Sequence, residues 1–179
     1  MRVFGIDPGS RFCGFGVVED AGATRVHHVA HGVLAVGEAG SIGARLCALH
    51  DGLFRELVRH RPELVAVEDV FYARNARSAL VLGQARGVAL LAAAQAGIEV
   101  RSFAPSVIKQ AVTGTGRAEK DQVGRMVAVV LGIPLQGRLD ASDALAAAIC
   151  GILRAREPEV SPPRRRGDWR AALARRFAK

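Results

Sequence analysis

Four acidic residues stand where carboxylates could act together. Asp7 and Glu68 each end a short apolar run, whereas Asp140 and Asp143 are three residues apart at the start of an alanine-rich helical pattern, on one side of its first turn. Clustered carboxylates without paired bases need protons or divalent cations to neutralise them. Because no histidine or cysteine accompanies these acids, hard cations such as Mg²⁺ or Mn²⁺ are favoured. Two such ions about 3.5–4 Å apart would support metal-dependent phosphoryl transfer.

Each of these acids also has a purely structural interpretation. Asp7 precedes Pro8-Gly9, a strong turn dipeptide, and could be a turn residue whose side chain bonds its own backbone. Asp140 and Asp143 could cap free N–H groups and complement the dipole of the helix that they open. For any one acid taken alone, the structural interpretation is the simpler. The chemical interpretation therefore requires a fold that brings the four acids together.

The hydrophobic pattern predicts an α/β fold with this property. Strands are expected at the run ending in Asp7 and at residues 13–19, 25–36, 64–68 and 98–103, the first three forming an antiparallel meander. Helical spacing is found at residues 42–59, 75–97, 105–112, 118–131 and 140–153. A helical crossover separates the first and fourth strands, so we expect parallel neighbours. Asp7 and Glu68 would then meet at the sheet edge where open α/β sheets place their sites.

The distribution of charge limits where a polyanion could bind. The chain has 179 residues, a net charge of +8 and a sequence pI of 10.6, which favours polyanionic partners. Nine of the 25 Lys and Arg residues lie from Arg154 onwards, so the rest of the chain is nearly neutral. A nucleic-acid site on the folded part must therefore be a local patch. We expect one folded domain at residues 1–156, followed by a basic, flexible tail at residues 157–179.

Composition disfavours several other classes of protein. The three cysteines are far apart and odd in number, which favours buried thiols in a reducing compartment over a disulfide framework. His27, His28 and His31 are expected on the solvated side of the third strand rather than in a zinc site. Asp7 interrupts the first apolar run, so no secretory signal is expected, and polar residues interrupt the longest apolar region. We therefore expect a cytoplasmic protein with no membrane partner.

Five motifs, taken in order, resemble the RuvC family of bacterial Holliday-junction resolvases. They are Gly5-Ile6-Asp7-Pro8-Gly9-Ser10-Arg11, Val67-Glu68-Asp69-Val70-Phe71, Leu82-Gly83-Gln84-Ala85-Arg86-Gly87, Ala118-Glu119-Lys120 and Asp140-Ala141-Ser142-Asp143-Ala144-Leu145-Ala146. The resemblance covers about residues 1–155 and implies an RNase H-like nuclease domain, with a mixed five-stranded sheet flanked by helices. It also implies a homodimeric, Mg²⁺-dependent endonuclease that nicks two strands of a four-way DNA junction symmetrically, in recombination and repair.

The resemblance extends to individual residues. It makes Asp7, Glu68, Asp140 and Asp143 the metal-binding catalytic carboxylates, with two Mg²⁺ or Mn²⁺ ions in each active site. Lys109 and Lys120 resemble family lysines near the scissile phosphate, where a cation can offset developing charge. Phe71 resembles a residue that stacks on bases at the junction point, although a core position at the strand exit is the alternative. The expected phosphate contacts are Arg74, Arg77, Arg86 and Arg117.

Two other functions remain open, namely another RNase H-like nuclease acting on a different substrate such as RNA, and a non-catalytic junction-binding module. The presence of all four acids disfavours the second, and Phe71 with the two lysines favours branched DNA over the first. ATP binding is disfavoured because Gly114-Thr115-Gly116 lacks the spacing of a phosphate-binding loop. The expected partners are four-way junction DNA, a second copy of the chain and the RuvA–RuvB branch-migration complex.

Overall fold

The computed structural model describes residues 1–9, 11–22, 25–35, 40–69, 76–134 and 139–156, without the side chains of residues 139 and 140. Phe71, Arg74 and the expected tail at residues 157–179 lie outside these ranges. The elements in chain order are β1 (Arg2–Asp7), β2 (Phe12–Asp20), β3 (Val26–Ala35), α1 (Ile42–His60), β4 (Leu64–Glu68), α2 (Ala76–Gln95), β5 (Glu99–Phe103), α3 (Pro105–Thr113), α4 (Lys120–Leu131) and α5 (Leu139–Ala155). Every strand and helix predicted from the sequence is present.

The five strands form one mixed sheet in the order β3-β2-β1-β4-β5. β1 pairs antiparallel with β2, and β2 pairs antiparallel with β3. β4 pairs parallel with β1 on the other side, and β5 pairs parallel with β4. The predicted mixed α/β sheet is therefore confirmed, including the parallel pairing of the first and fourth strands.

Helices cover both faces of the sheet. On one face, Phe4 and Ile6 of β1 pack with buried leucines of α1 and buried alanines of α2. On the other face, Val3 of β1 and Ala66 of β4 pack with α5, against which α3 and α4 also lie. Because β4 is buried on both faces, its sequence is a continuous apolar run rather than an alternating one.

Helix α5 lies almost in contact with the backbone of the sheet. A Cβ built on Gly5 of β1 would overlap the carbonyl oxygen of Ala144, and one on Gly16 of β2 would lie 2.7 Å from Leu145. One built on Gly151, near the other end of α5, would lie 2.9 Å from Val3. The helix therefore runs antiparallel to β1, and its N-terminus lies at the carboxyl end of that strand. Glycines in these strands mark the close approach of a helix backbone.

The far end of α5 is held to the β2–β3 turn by an ion pair. The guanidinium of Arg156 donates to both carboxylate oxygens of Asp20, the Nε–Oδ2 distance being 3.1 Å, and also to the carbonyl of Arg25. Asp20 also accepts a hydrogen bond from the backbone N–H of Gly22. The hydrogen bonds that Asp20 accepts, chiefly from Arg156 and then from Gly22, lower its pKa from 3.8 to about 2. A residue close to the predicted tail is thus part of the folded domain.

We expect Asp20→Asn to lower the melting temperature at neutral pH, with a difference from wild type that shrinks in acid. Because the folded-state pKa of Asp20 is depressed, its contribution is fully present above about pH 4 and is lost as the pH falls towards 2. Thermal unfolding followed by circular dichroism between pH 6 and pH 2.5 measures this. A variant with Arg156→Gln should show the same pH dependence, and a pH-independent difference would contradict the assignment.

Two of the three cysteines follow the sequence prediction of buried thiols. Cys13 and Cys150 are buried, but Cys47 is exposed. The expectation of a buried thiol is wrong there because Cys47 lies on the side of α1 away from its buried residues Leu49 and Leu53. In the part of the chain that the structure describes, no helix is both long and apolar enough to span a membrane.

Candidate active site

Asp7 and Glu68 end neighbouring strands at the same edge of the sheet. The β1–β4 register pairs Ile6 with Val67, so the next residue on each strand is an acid. Both acids are half-buried, and Asp7 also lies opposite Gly14 of β2. On β1, Asp7 follows Gly5 by two residues and therefore faces the side of the sheet that α5 covers. Strand pairing alone thus brings together two of the four predicted carboxylates.

Helix α5 brings the third carboxylate to this edge. Because Ala144 packs on Gly5, the preceding residue Asp143 lies close to the carboxyl end of β1, and its side chain is only 21% exposed. Asp140 lies one turn earlier, in the first turn of the same helix, as the sequence predicts. The side chain of Asp140 lies outside the described part of the structure.

A cavity of about 310 Å³ opens at this point between β4 and helices α3, α4 and α5. Four residues predicted to be catalytic line it together, namely Glu68, Asp143, Lys109 and Lys120. The remaining lining is apolar and consists of Pro105, Ile108, Val123 and Ala146. Low-polarity walls strengthen electrostatic interactions inside such a site because they exclude water. The fold therefore gathers acids and lysines that are up to 75 residues apart in the sequence.

Lys120 makes a direct ion pair within the cavity. Its Nζ lies 2.6 Å from Oδ2 of Asp143, and its side chain remains 54% exposed. Lys109 approaches from α3 and is half-buried. One positive charge is thus already fixed beside the carboxylates, on a side chain that also extends towards solvent.

Glu68 has a raised pKa because it is partly buried and lies close to another acid. Burial, and then the negative charge of Asp143, raise the pKa of the Glu68 carboxyl. Lys120 and Lys109 act in the opposite direction without cancelling that effect. Folding therefore makes ionisation of Glu68 less favourable than it is for a carboxyl in water, and a further cation beside it would offset that cost.

We expect Glu68→Gln to stabilise the metal-free protein at neutral pH, by about 1 kcal/mol. Because folding raises the pKa of Glu68, its favourable contribution is present below the unfolded-state pKa and is lost as the pH rises through the folded-state pKa. Urea unfolding in the presence of a chelator, at pH 7.5 and at pH 4.5, measures this. The advantage of the variant should be smaller at pH 4.5, and a variant less stable than wild type at pH 7.5 would contradict the expectation.

The chemistry of these donors fits a hard divalent cation. They are carboxylate oxygens at the end of a cavity. The raised pKa of Glu68 is expected of an acid that lacks sufficient positive charge nearby. Among the described side chains, which do not include that of Asp140, no three acids, histidines or cysteines already converge as a metal cage. Asp7, Glu68 and Asp143 are the described residues that would hold the ion.

The predicted phosphate contacts are placed differently from one another. Arg77 is exposed at the start of α2, and Arg117 is exposed in the loop between α3 and α4, three residues before Lys120. Arg86 instead has partners within the protein, because its Nη2 donates to Asp69 at 2.6 Å and to Ser102 at 2.7 Å. Its role as a DNA contact stays a prediction, as do those of Phe71 and Arg74.

Asp69 is a residue whose role the sequence did not reveal. It follows Glu68 directly and is held by the ion pair with Arg86 and by a backbone hydrogen bond to Phe103 at 2.9 Å. These contacts fix the chain at the point where it leaves β4 beside the cavity. No spacing rule links Asp69 to Arg86, and only the adjacency of an acid to Glu68 could have drawn attention to it.

Comparisons with known proteins agree closely with one another. A family model described as "Crossover junction endodeoxyribonuclease RuvC" matches residues 3–151. A protein of that name from Myxococcus xanthus is 52% identical over 97% of this chain and 92% of its own length. Another from Trichlorobacter lovleyi is 47% identical over 95% of this chain and 98% of its own length. Among solved structures, "T. thermophilus RuvC in complex with Holliday junction substrate" matches with a TM-score of 0.82 and 37% identity, over 87% of this chain and 95% of that one.

Proposed function

Because the chain belongs to the RuvC family of crossover junction endodeoxyribonucleases, we propose that it resolves Holliday junctions by symmetric, metal-dependent hydrolysis of two strands, in recombination and DNA repair. The family resemblance and the RNase H-like α/β fold expected from the sequence are both confirmed. The observation that carries the proposal is the convergence of Glu68, Asp143, Lys109 and Lys120 on one cavity beside Asp7. A non-catalytic binding module would have no need of such a cluster.

The carboxylates and the lysines of the cavity would have different roles in hydrolysis. Asp7, Glu68, Asp140 and Asp143 would hold two Mg²⁺ or Mn²⁺ ions. When bound, such ions activate water and stabilise the leaving oxygen in phosphodiester hydrolysis. Lys120 would exchange its contact with Asp143 for the scissile phosphate, since its exposed side chain can reach outward. Lys109, on the other wall, would offset negative charge as it develops.

Recognition of the junction would depend on residues around the cavity. Arg77 and Arg117 are exposed, and we assign them to contacts with DNA phosphates. We assign Phe71 to base stacking at the junction point and Arg74 to a phosphate contact, on the resemblance of the sequence motifs. Arg86 could contribute to a phosphate contact only by sharing its guanidinium with Asp69.

A second copy of the chain would dock on the solvent face of α2. Leu80 and Leu91 are 67% and 51% exposed on the same side of this helix, and exposed apolar side chains that share a face can mark an interaction surface. Between them, a Cβ built on Gly83 or Gly87 would meet no atom within 4 Å, so the backbone of another helix could approach closely. Two-fold pairing through this face would give one particle two active sites, as cutting of two strands requires.

Size-exclusion chromatography with light scattering tests the dimer. Leu80→Lys should yield monomers that still bind Mg²⁺ but no longer nick two strands together. Val129→Lys is the matched control, because Val129 is 74% exposed on α4, away from α2, and its replacement should leave the dimer intact. A dimer that survives Leu80→Lys combined with Leu91→Lys would rule out this face without touching the proposed chemistry.

The proposed activity is tested with a synthetic four-way DNA junction, supplied with Mg²⁺ or Mn²⁺ and compared with linear duplex of the same sequence. We expect paired, symmetric nicks with ends that ligase can seal, and much slower cutting of the duplex. Equal cutting of both substrates would indicate a general nuclease, and binding without cutting under any divalent ion would indicate a binding module. Adding the RuvA–RuvB branch-migration complex, the proposed cytoplasmic partner, should change where the nicks fall.

A further inference from the structure

A β-bulge brings two histidines to one face of the edge strand β3. Residues three apart on a regular strand point to opposite faces of the sheet. The register of β2 with β3 shifts between Val17 and Val18, so that Val18 pairs with His28 while Gly16 pairs with His31. Val18 and Gly16 both face α5, and His28 and His31 therefore share that face. His27 pairs with Glu19 and lies on the opposite face.

The two rings are held close together by this arrangement. Nε2 of His28 lies 2.8 Å from Nδ1 of His31, and the ring centroids are 4.9 Å apart with an interplanar angle of 60°. One of the two nitrogens carries the proton that the other accepts, so at least one ring has a lone pair directed at its neighbour. His31 is exposed and His28 is half-buried, which leaves the pair accessible from solvent.

The separation of these nitrogens is close to that of two imidazoles on one metal ion. With metal–nitrogen bonds of about 2.0–2.1 Å, adjacent ligands in octahedral or tetrahedral coordination have their nitrogens about 2.9–3.4 Å apart. The observed hydrogen bond would therefore open by a few tenths of an ångström to admit an ion. A change of tautomer would place the remaining ring proton of each histidine on its outer nitrogen.

We propose that His28 and His31 form a chelating site for a borderline divalent transition metal, such as Ni²⁺, Zn²⁺ or Cu²⁺, on the edge strand of the sheet. Burial, and then the charge of His31, lower the pKa of His28, which keeps that ring in its neutral, ligand form. Within the described ranges no third acid, thiol or imidazole completes a protein cage, so water would fill the other positions. The affinity of such an open site should follow the general order for divalent first-row metals, in which Cu²⁺ binds most tightly.

This site would be separate from the carboxylate site in position and in chemistry. β3 is two strands away from β1 in the sheet, about 10 Å across the strands. Imidazole nitrogens select borderline transition metals, whereas the acids around Asp7 and Glu68 suit hard cations. A metal bound to His28 and His31 would link the residues on either side of the bulge. Because it would bind the folded chain more tightly than the unfolded one, it would stabilise the folded state.

Calorimetric titration with Ni²⁺ tests the proposal on the full-length chain, with millimolar Mg²⁺ present to occupy the carboxylates. Wild type should bind one Ni²⁺ per chain at this site and show a higher melting temperature when loaded. His31→Ala should weaken binding by at least about tenfold and abolish the thermal shift. His27→Ala is the matched control, because it removes a neighbouring exposed histidine from the opposite face and should leave both readouts unchanged.

Nuclear magnetic resonance supplies a readout that does not depend on stability. Paramagnetic Ni²⁺ should broaden the ring signals of His28 and His31 before those of His27. Wild-type affinity in His31→Ala, equal loss in His27→Ala, or broadening that begins elsewhere would each overturn the site. Junction cleavage in Mg²⁺ by His31→Ala should match wild type, and a loss there would show that the two sites are not separate.

Discussion

Asp7→Asn is expected to bind a four-way junction like the wild type and to cut it at least about 10²–10³-fold more slowly. The substitution removes one negative charge and one of the proposed metal-binding oxygens while keeping the size of the side chain. The backbone here is held by pairing of Asp7 with Gly14 of β2 and of the preceding Ile6 with Val67 of β4, so the end of the strand and the surface around it should be unchanged. Gel-shift titration in a chelator and single-turnover cleavage in Mg²⁺ measure the two properties separately.

The matched control for this variant is Asp51→Asn. Asp51 is an exposed acid on α1, on the other face of the sheet, and its loss changes the net charge by the same amount. Its binding and cleavage should equal those of wild type. Cleavage by Asp7→Asn at the wild-type rate would show that Asp7 is not a catalytic residue. Weaker junction binding by both variants would mean that the change in net charge, rather than the position of Asp7, affects binding.

The location of Asp7 and Glu68 could be predicted because it depends on local rules. Each acid ends an apolar run, and parallel strands joined by a helical crossover place their carboxyl ends together. The pairing of Ile6 with Val67 bears out that expectation. Ser41 illustrates the same point for helices, since a serine directly before the helical pattern of residues 42–59 is a typical N-cap, and its Oγ accepts a hydrogen bond from the N–H of Ala44.

Contacts between distant segments could not be read from the sequence. The ion pair of Lys120 with Asp143 joins α4 to α5, and that of Arg86 with Asp69 joins α2 to the end of β4. Charged residues are common enough that no spacing rule selects these partners among the alternatives. Arg86 shows the consequence, because its charge suggested a DNA contact while the fold gives it two partners inside the protein.

The positions of the β3 histidines could be predicted only in part from the sequence. Their strand was predicted, but the bulge that changes which side chains share a face was not. A single extra residue reverses the alternation beyond it, so His28 and His31 come together and His27 is left on the opposite face. The expectation that all three histidines lie on one solvated side is wrong because His27 and His28 are consecutive and point to opposite faces of the strand. Pairing with β2 decides only that His31 shares the face of His28.

Gly5→Ala is expected to destabilise the protein by more than about 4 kcal/mol or to prevent folding, an effect at the upper end for one methyl group. The new Cβ would overlap the carbonyl oxygen of Ala144 and lie 2.8 Å from the nitrogen of Ala148. Both atoms belong to the backbone of α5, so no rotation of a side chain can relieve the overlap. The helix would have to move away from β1, and its tight packing on the sheet would be lost.

Urea unfolding of Gly5→Ala beside Gly43→Ala separates this contact from the general effect of replacing glycine. Gly43 lies in the first turn of α1, where a Cβ would have no neighbour closer than 3.8 Å, and alanine there should stabilise by up to about 1 kcal/mol. If Gly5→Ala folds at low temperature, its cleavage should fall more than its junction binding, because displacement of α5 carries Asp143 away from Glu68. Unchanged stability of Gly5→Ala would mean that α5 does not lie on β1 as closely as described, and the arrangement of the carboxylates would have to be revised with it.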